Sequence, residues 1–168
     1  MGVTIKTLKN DFPKMEKELN SLNGKKVKVG VLGGGEQAWL AAIHEYGCNI
    51  QVTPKMRAWL HANGLHLSPS TTEIHIPERS FLRTGYDTNI SDVLNETDRL
   101  IEFVSGGKMS ADEFCKTVGL LLSDRIKEYA TQLDSPAKHP FTLQRNGGKA
   151  NPLVDSGDMI GAISYEVE

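Results

Sequence analysis

Cysteine is scarce in this chain: Cys48 and Cys115 are its only two among 168 residues. Two thiols make no disulfide framework, and they fit a reducing compartment. Cys115 falls on the border of an apolar helix face and is expected as a buried thiol. No run approaches the ~18 apolar residues that would span a bilayer, so no membrane contact is expected. Met1-Gly2-Val3-Thr4 lacks a basic-then-apolar signal, so no secretion is expected. A surplus of one charge is missing too. Nineteen lysines and arginines face 21 acids, for a net charge of −2. That excludes a broad electrostatic affinity for nucleic acid or anionic membrane, which needs a basic excess to displace counterions. Lys25, Lys26 and Lys28 form one local basic run, which reads as the solvated edge of a strand.

What is present is ordinary for a globular protein: 39% hydrophobic and 24% charged residues. The length suits one domain over residues 1–168, able to bury roughly 70% of its extended surface without a staple. There is no internal repeat.

Apolar spacing supplies the elements. Ile5, Leu8, Phe12, Met15, Leu19 and Leu22 form one helical stripe. Pro13 either kinks this helix or sits in its first turn after an Asp11 cap, where its missing N–H costs nothing. Asn23-Gly24 ends it. Val27 to Leu32 reads as a strand, and Glu36 to Tyr46 as a short helix closed by Gly47. Ile50 to Thr53 and Thr71 to Ile76 read as strands. Between them Thr53-Pro54 starts a helix with Met56, Trp59 and Leu60 on its apolar face. Ile90, Val93, Leu94, Thr97, Leu100, Ile101 and Val104 mark a long helix. Ser110 and Glu113 form a capping box for the next, which carries Phe114, Val118, Leu121, Leu122, Ile126, Tyr129 and Leu133. The short connection predicts an antiparallel pair. Residues 134–154 show no period and read as an extended loop, functional or ordered only on binding. Asp155 and Ser156 read as caps before Met159-Ile160, and Ile163, Tyr165 and Val167 alternate as a last strand. The expected fold is α+β: a small, mostly antiparallel sheet packed with an N-terminal helix and a long antiparallel helix pair.

Three constellations suggest chemistry, and each lacks a partner. Gly33-Gly34-Gly35-Glu36-Gln37-Ala38 has the spacing of a dinucleotide turn. Thr53 stands where an acidic residue would bind the ribose, and no series of βαβ units follows. His44-Glu45 is half of a zinc-protease helix, but Cys48 takes the place of the second histidine, and His61, His66 and His75 are out of register. Asp155-Ser156-Gly157, with His139 upstream, is no nucleophile elbow. The readings kept open are a metal- or nucleotide-dependent enzyme through these residues, a monomeric protein-binding module, and an assembly protein. Arg79 and Arg83 are four apart. They are either a solvated pair or, if the helix starts early enough for them to share a face, an intersubunit clamp.

Ala41-Ala42-Ile43-His44-Glu45-Tyr46-Gly47, then Ile76-Pro77-Glu78-Arg79-Ser80-Phe81-Leu82-Arg83, then Pro152-Leu153-Val154-Asp155-Ser156-Gly157-Asp158-Met159 occur in that order. Together they resemble the tailed-bacteriophage virion morphogenesis and tail-completion family, whose members share a helix end, a turn and a C-terminal element of these types. Ser80 departs from the family's usual second proline, and residues 54–71 are an insertion that only part of the family carries. The resemblance implies no catalysis and no cofactor. It implies a homo-oligomer, in the form of a ring, at the neck of the virion, assembled in the bacterial cytoplasm with head connector and tail proteins as partners. His44, Glu45, Tyr46, Gly47, Pro77, Phe81, Leu82, Asp155 and Gly157 are then structural motif residues. Trp59, Arg79, Arg83, Phe141 and Arg145 are the expected interface.

Overall fold

The structure, a computed structural model, describes residues 11–168. Ile5 and Leu8 of the expected first stripe lie outside them. The described part of that helix, α1 (Phe12–Leu22), has Pro13 in its first turn and ends at Asn23. Proline there loses no intrahelical bond, so no kink results.

The fold is α+β. Strand β1 (Val27–Val31) leads through the Gly33–Gly35 turn into α2 (Glu36–Tyr46). Strand β2 (Cys48–Gln51) follows, then α3 (Pro54–Ala62) and β3 (Glu73–Ile76). The long pair is α4 (Leu82–Ser105) and α5 (Ala111–Gln132), packed on each other as expected. Helices α6 (Pro140–Arg145) and α7 (Asp158–Gly161) precede the final strand β4 (Ile163–Val167).

The strands are antiparallel, but among the described residues they form two separate two-stranded sheets rather than one. β1 pairs with β4, placing Val27 opposite Val167 and Val31 opposite Ile163. β2 pairs only with β3, placing Cys48 opposite Ile76. The bounds of β2 have local causes. Gly47, at φ +68°, turns the chain straight from helix into strand, so β2 begins at Cys48 and not at Ile50. Thr53 then ends it by capping α3, its Oγ1 accepting the Met56 amide at 3.1 Å.

α5 lies across β1 and β4. Gly119 makes this approach possible, because a Cβ there would stand 2.4 Å from the Tyr165 ring. The core joins Ala41, Phe81, Val93, Leu122, Ile126, Leu153, Met159 and Ile163. Each of the three motif segments therefore sends at least one side chain into it. Cys115 is buried, as expected, and burial raises its thiol pKa. The Ser110–Glu113 capping box forms in both directions, at 3.2 and 2.8 Å.

Two expectations are corrected. Residues 134–154 are no structureless loop. They contain α6, whose first amide to need a partner, that of Phe141, bonds to His139 Nδ1 at 3.2 Å. Asn151 Nδ2 donates to the carbonyls of Ala130 and Thr131 at 2.9 Å, closing the end of α5. Leu153, two residues on, is buried. Second, Asp155 does not cap α7. Gly157 holds the cap position at φ +102°, and Ser156 Oγ accepts the Asp158 amide at 3.3 Å.

Candidate functional site

The three motif segments meet where α2 ends against the start of α4. A helix begins with backbone amides that lack intrahelical acceptors. α4 begins at Leu82 after Phe81, which has no side-chain oxygen to offer. The acceptor comes from α2. Glu45 Oε2 accepts the amides of Phe81 and Leu82 at 2.9 Å, and Oε1 accepts the amide of Arg83 at 3.1 Å. Ser80 Oγ and Arg83 Nε also donate to Oε1, each at 2.9 Å. Burial alone would push this carboxyl up. The Leu82 and Arg83 amides, with the Arg83 guanidinium and the Ser80 hydroxyl, outweigh burial and hold it below the usual carboxylate range. The site suits an anion because the helix dipole places partial positive charge there.

Gly47 sets the closeness of the two segments. A Cβ at this position would lie 2.8 Å from both the Ile76 carbonyl oxygen and the Glu78 nitrogen. The His44 carbonyl accepts the Arg79 amide at 2.7 Å, which ties the same two strands of chain together. Pro77 follows directly on β3 in the second of them. Tyr46 is exposed, with the Arg83 guanidinium 5.0 Å from its ring centre.

Arg79 and Arg83, expected on one helix face, divide here. Arg79 precedes α4 and is 7% exposed. Its guanidinium serves its own chain, donating to the carbonyls of Pro136 at 2.7 Å and Ala137 at 3.1 Å. Arg79 thus clamps Pro136 and Ala137 of its own chain. Arg83 faces outward. Besides Glu45 it holds the Glu78 carboxylate at 2.6 Å.

His44 is lowered to about 4, first by burial and then by the nearby charges of Arg79 and Lys138. Its Nδ1 is buried and has no hydrogen-bond partner among the described residues. The ring is thus neutral at physiological pH. Lys138 reaches the Val154 carbonyl at 2.6 Å, which attaches the third motif segment to the same junction.

The other candidates for chemistry are placed apart. The Gly33–Gly35 turn opens α2, but Glu36 puts a carboxylate in the first turn, where a phosphate would sit. Cys48 starts β2 while every oxygen of Glu45 is engaged by α4. Among the described residues no three His, Cys, Asp or Glu side chains are grouped to hold a metal. His61 packs edge-on to His66 at 4.3 Å, and His75 Nδ1 meets Asn49 Oδ1 at 2.7 Å. Two shallow surface depressions, one beside Lys14 and Glu113 and one beside Asn89 and Arg125, include neither His44 nor Glu45 in their walls.

Trp59, Phe141 and Arg145, expected at an interface from separate segments, are brought together. The Arg145 guanidinium lies 4.8 Å from the Trp59 ring centre and 5.7 Å from that of Phe141. It also donates to Asn63 Oδ1 at 2.7 Å. Residues 54–71 and the segment 134–154 are joined at this point. Sequence reading missed Asn63, Lys138 and Asn151, because the contacts that matter here are distant in the chain: Asn63 with Arg145, Lys138 with Val154, and Asn151 with Ala130 and Thr131.

No known family, curated protein or solved structure matches the chain.

Proposed function

We propose that this chain is a structural assembly subunit of a tailed phage or prophage, acting in head–tail joining or tail completion by self-associating into a ring at the neck. The observation that carries this reading is the use to which Glu45 is put. Glu45, the acid of the half zinc-protease pattern, instead holds backbone at the start of α4, and beside it Arg79 and Lys138 hold segment 134–154. A buried carboxylate that accepts three amides and a guanidinium is committed to structure, and its depressed pKa removes it from proton transfer near neutrality. The three segments that resemble the family are the ones that make this junction. Exposed Trp39, Tyr46, Leu94 and Leu120 leave apolar surface for contacts between subunits.

The test is direct. Sedimentation of the purified chain, followed by electron microscopy, is expected to find closed rings. The labelled chain is expected to bind isolated heads or tails of its own phage and to map to the neck of the particle. A chain that stays monomeric at high concentration and binds neither part overturns the proposal.

A further inference from the structure

Charge is unevenly divided in this molecule. Residues 53–72 and 135–154 contain no aspartate or glutamate, yet they hold Lys55, Arg57, Lys138, Arg145 and Lys149, with His61, His66 and His139. Five of the 19 cations and none of the 21 acids fall there, so the rest of the chain runs seven charges negative. The two segments form one lobe, because Arg145 bonds Asn63 and stacks by Trp59 and Phe141. Several of these cations are fixed by carbonyls: Arg57 by Ser68 and Thr71 at 2.8 and 2.5 Å, and Lys138 by Val154. A carbonyl orients a cation without neutralising it. Among the described residues, none of the five lies in an ion pair. The lobe is therefore positive, with half-exposed Trp59 in it.

The opposite character appears on α4. Leu94 and Ile101 are exposed and two turns apart. Asp87 lies two turns before Leu94, Asp98 one turn after it, and Glu102 one turn further on; all three are exposed. Among the described residues these acids also lack ion-pair partners. An apolar strip rimmed by acids is complementary to a basic lobe that carries an exposed indole.

We infer that the basic lobe of one copy docks on the acidic, Leu94–Ile101 face of α4 in the next copy. Two different faces of one chain then meet, which is the head-to-tail contact that generates a ring or a filament. This rests on the self-association proposed above and names the surfaces that carry it. A second copy fits better than a polyanion. The lobe's fixed cations are few, and the seven-charge negative excess elsewhere repels nucleic acid.

The experiment is a charge exchange on the full chain, read by sedimentation velocity with circular dichroism as a check of folding. Asp87→Lys with Asp98→Lys makes both surfaces basic. Lys55→Glu with Lys149→Glu takes the lobe from five positive charges to a net of one. Each double variant alone is expected to associate at least about tenfold more weakly than the parent. An equimolar mixture pairs the unaltered lobe of the first variant with the unaltered α4 face of the second and is expected to recover association as heterodimers. The parent's association is expected to weaken with salt. Should a double variant misfold, Asp98→Asn and Lys55→Gln remove charge without reversing it and carry the same comparison. Parent assembly that neither variant weakens, or a mixture that fails to recover, overturns these surfaces and leaves self-association standing. A parent that stays monomeric overturns both readings. A monomeric parent that binds a short DNA duplex in low salt assigns the lobe to a polyanion instead.

Discussion

Glu45 holds Arg83 in three ways. Its Oε1 accepts the Arg83 amide at 3.1 Å and the guanidinium Nε at 2.9 Å, and its carbonyl accepts the guanidinium Nη2 at 3.1 Å. The end of one helix and the start of another are thereby fixed by a single acidic residue. Glu45→Ala leaves three helix-start amides without an acceptor, and it is expected to cost roughly 3–5 kcal/mol in urea unfolding. Glu45→Gln keeps one acceptor oxygen and is expected to cost roughly 1–3 kcal/mol. Arg83→Ala removes only the exposed partner and is expected to lower the midpoint least. Equal losses for Glu45→Ala and Arg83→Ala would show that the ion pair, and not the amide cap, carries the stability.

The Gly47 position gives a second expectation. Its positive φ and the 2.8 Å approach to Ile76 and Glu78 act in the same direction. Gly47→Ala is expected to destabilise by at least about 2 kcal/mol. Gly34→Ala meets nothing within 4 Å, and by contrast it is expected to stay within about 1 kcal/mol of the parent. Similar thermal midpoints for the two variants would remove the steric argument.

Acid should weaken the fold in two stages. A histidine has an ordinary value of 6.5, and His44 in the fold is lowered to about 4 by burial with Arg79 and Lys138 beside it. Between those values the unfolded chain binds the extra proton, so this contribution is complete above 6.5 and shrinks as pH falls toward 4. Glu45 is held below its ordinary 4.5. Its contribution is present above that value and is lost as pH falls through the depressed one. Urea midpoints from pH 8 to pH 3 should therefore fall in two limbs. His44→Gln is expected to flatten the first and Glu45→Gln the second. An unchanged slope between pH 6.5 and 4 in His44→Gln would end the first assignment.

The Arg145–Trp59 contact is open to fluorescence. In a Trp39→Phe background Trp59 is the only indole. Arg145→Ala is expected to shift its emission and to cost about 0.5–1 kcal/mol, the usual scale of an exposed cation–π contact. Phe141→Ala removes the more distant of the two ring contacts of Arg145 and should shift emission less. Unmoved emission in Arg145→Ala would separate residues 54–71 from segment 134–154.

Helices with local signals were legible in the sequence. Ser110 and Glu113 announce α5, and Thr53-Pro54 announces α3, because cap and helix are neighbours in the chain. The periodic run marks α4 only from Ile90, while the helix starts at Leu82. Its missing turns are capped by Glu45, which no local window connects to Leu82. α6 was invisible because six residues give no period. The same distinction governs the site. His44 and Glu45 stood out as fragments of a metal helix, but the Ser80–Arg83 donors that bind Glu45 and the Arg79 and Lys138 charges beside His44 come from other parts of the chain and meet them only in three dimensions.

The pairing of β1 with β4 has a consequence for the order of events during synthesis. Ile163 fills the centre of the core, and Tyr165 fills the space over Gly119, yet both belong to the strand made last among the described elements. β1 must wait for residues 163–167 to be made before it finds its neighbour. The long helix pair can form in the meantime, since its contacts are local. The face of α5 that meets β1 and β4 is therefore closed late, after the helix pair to which it belongs.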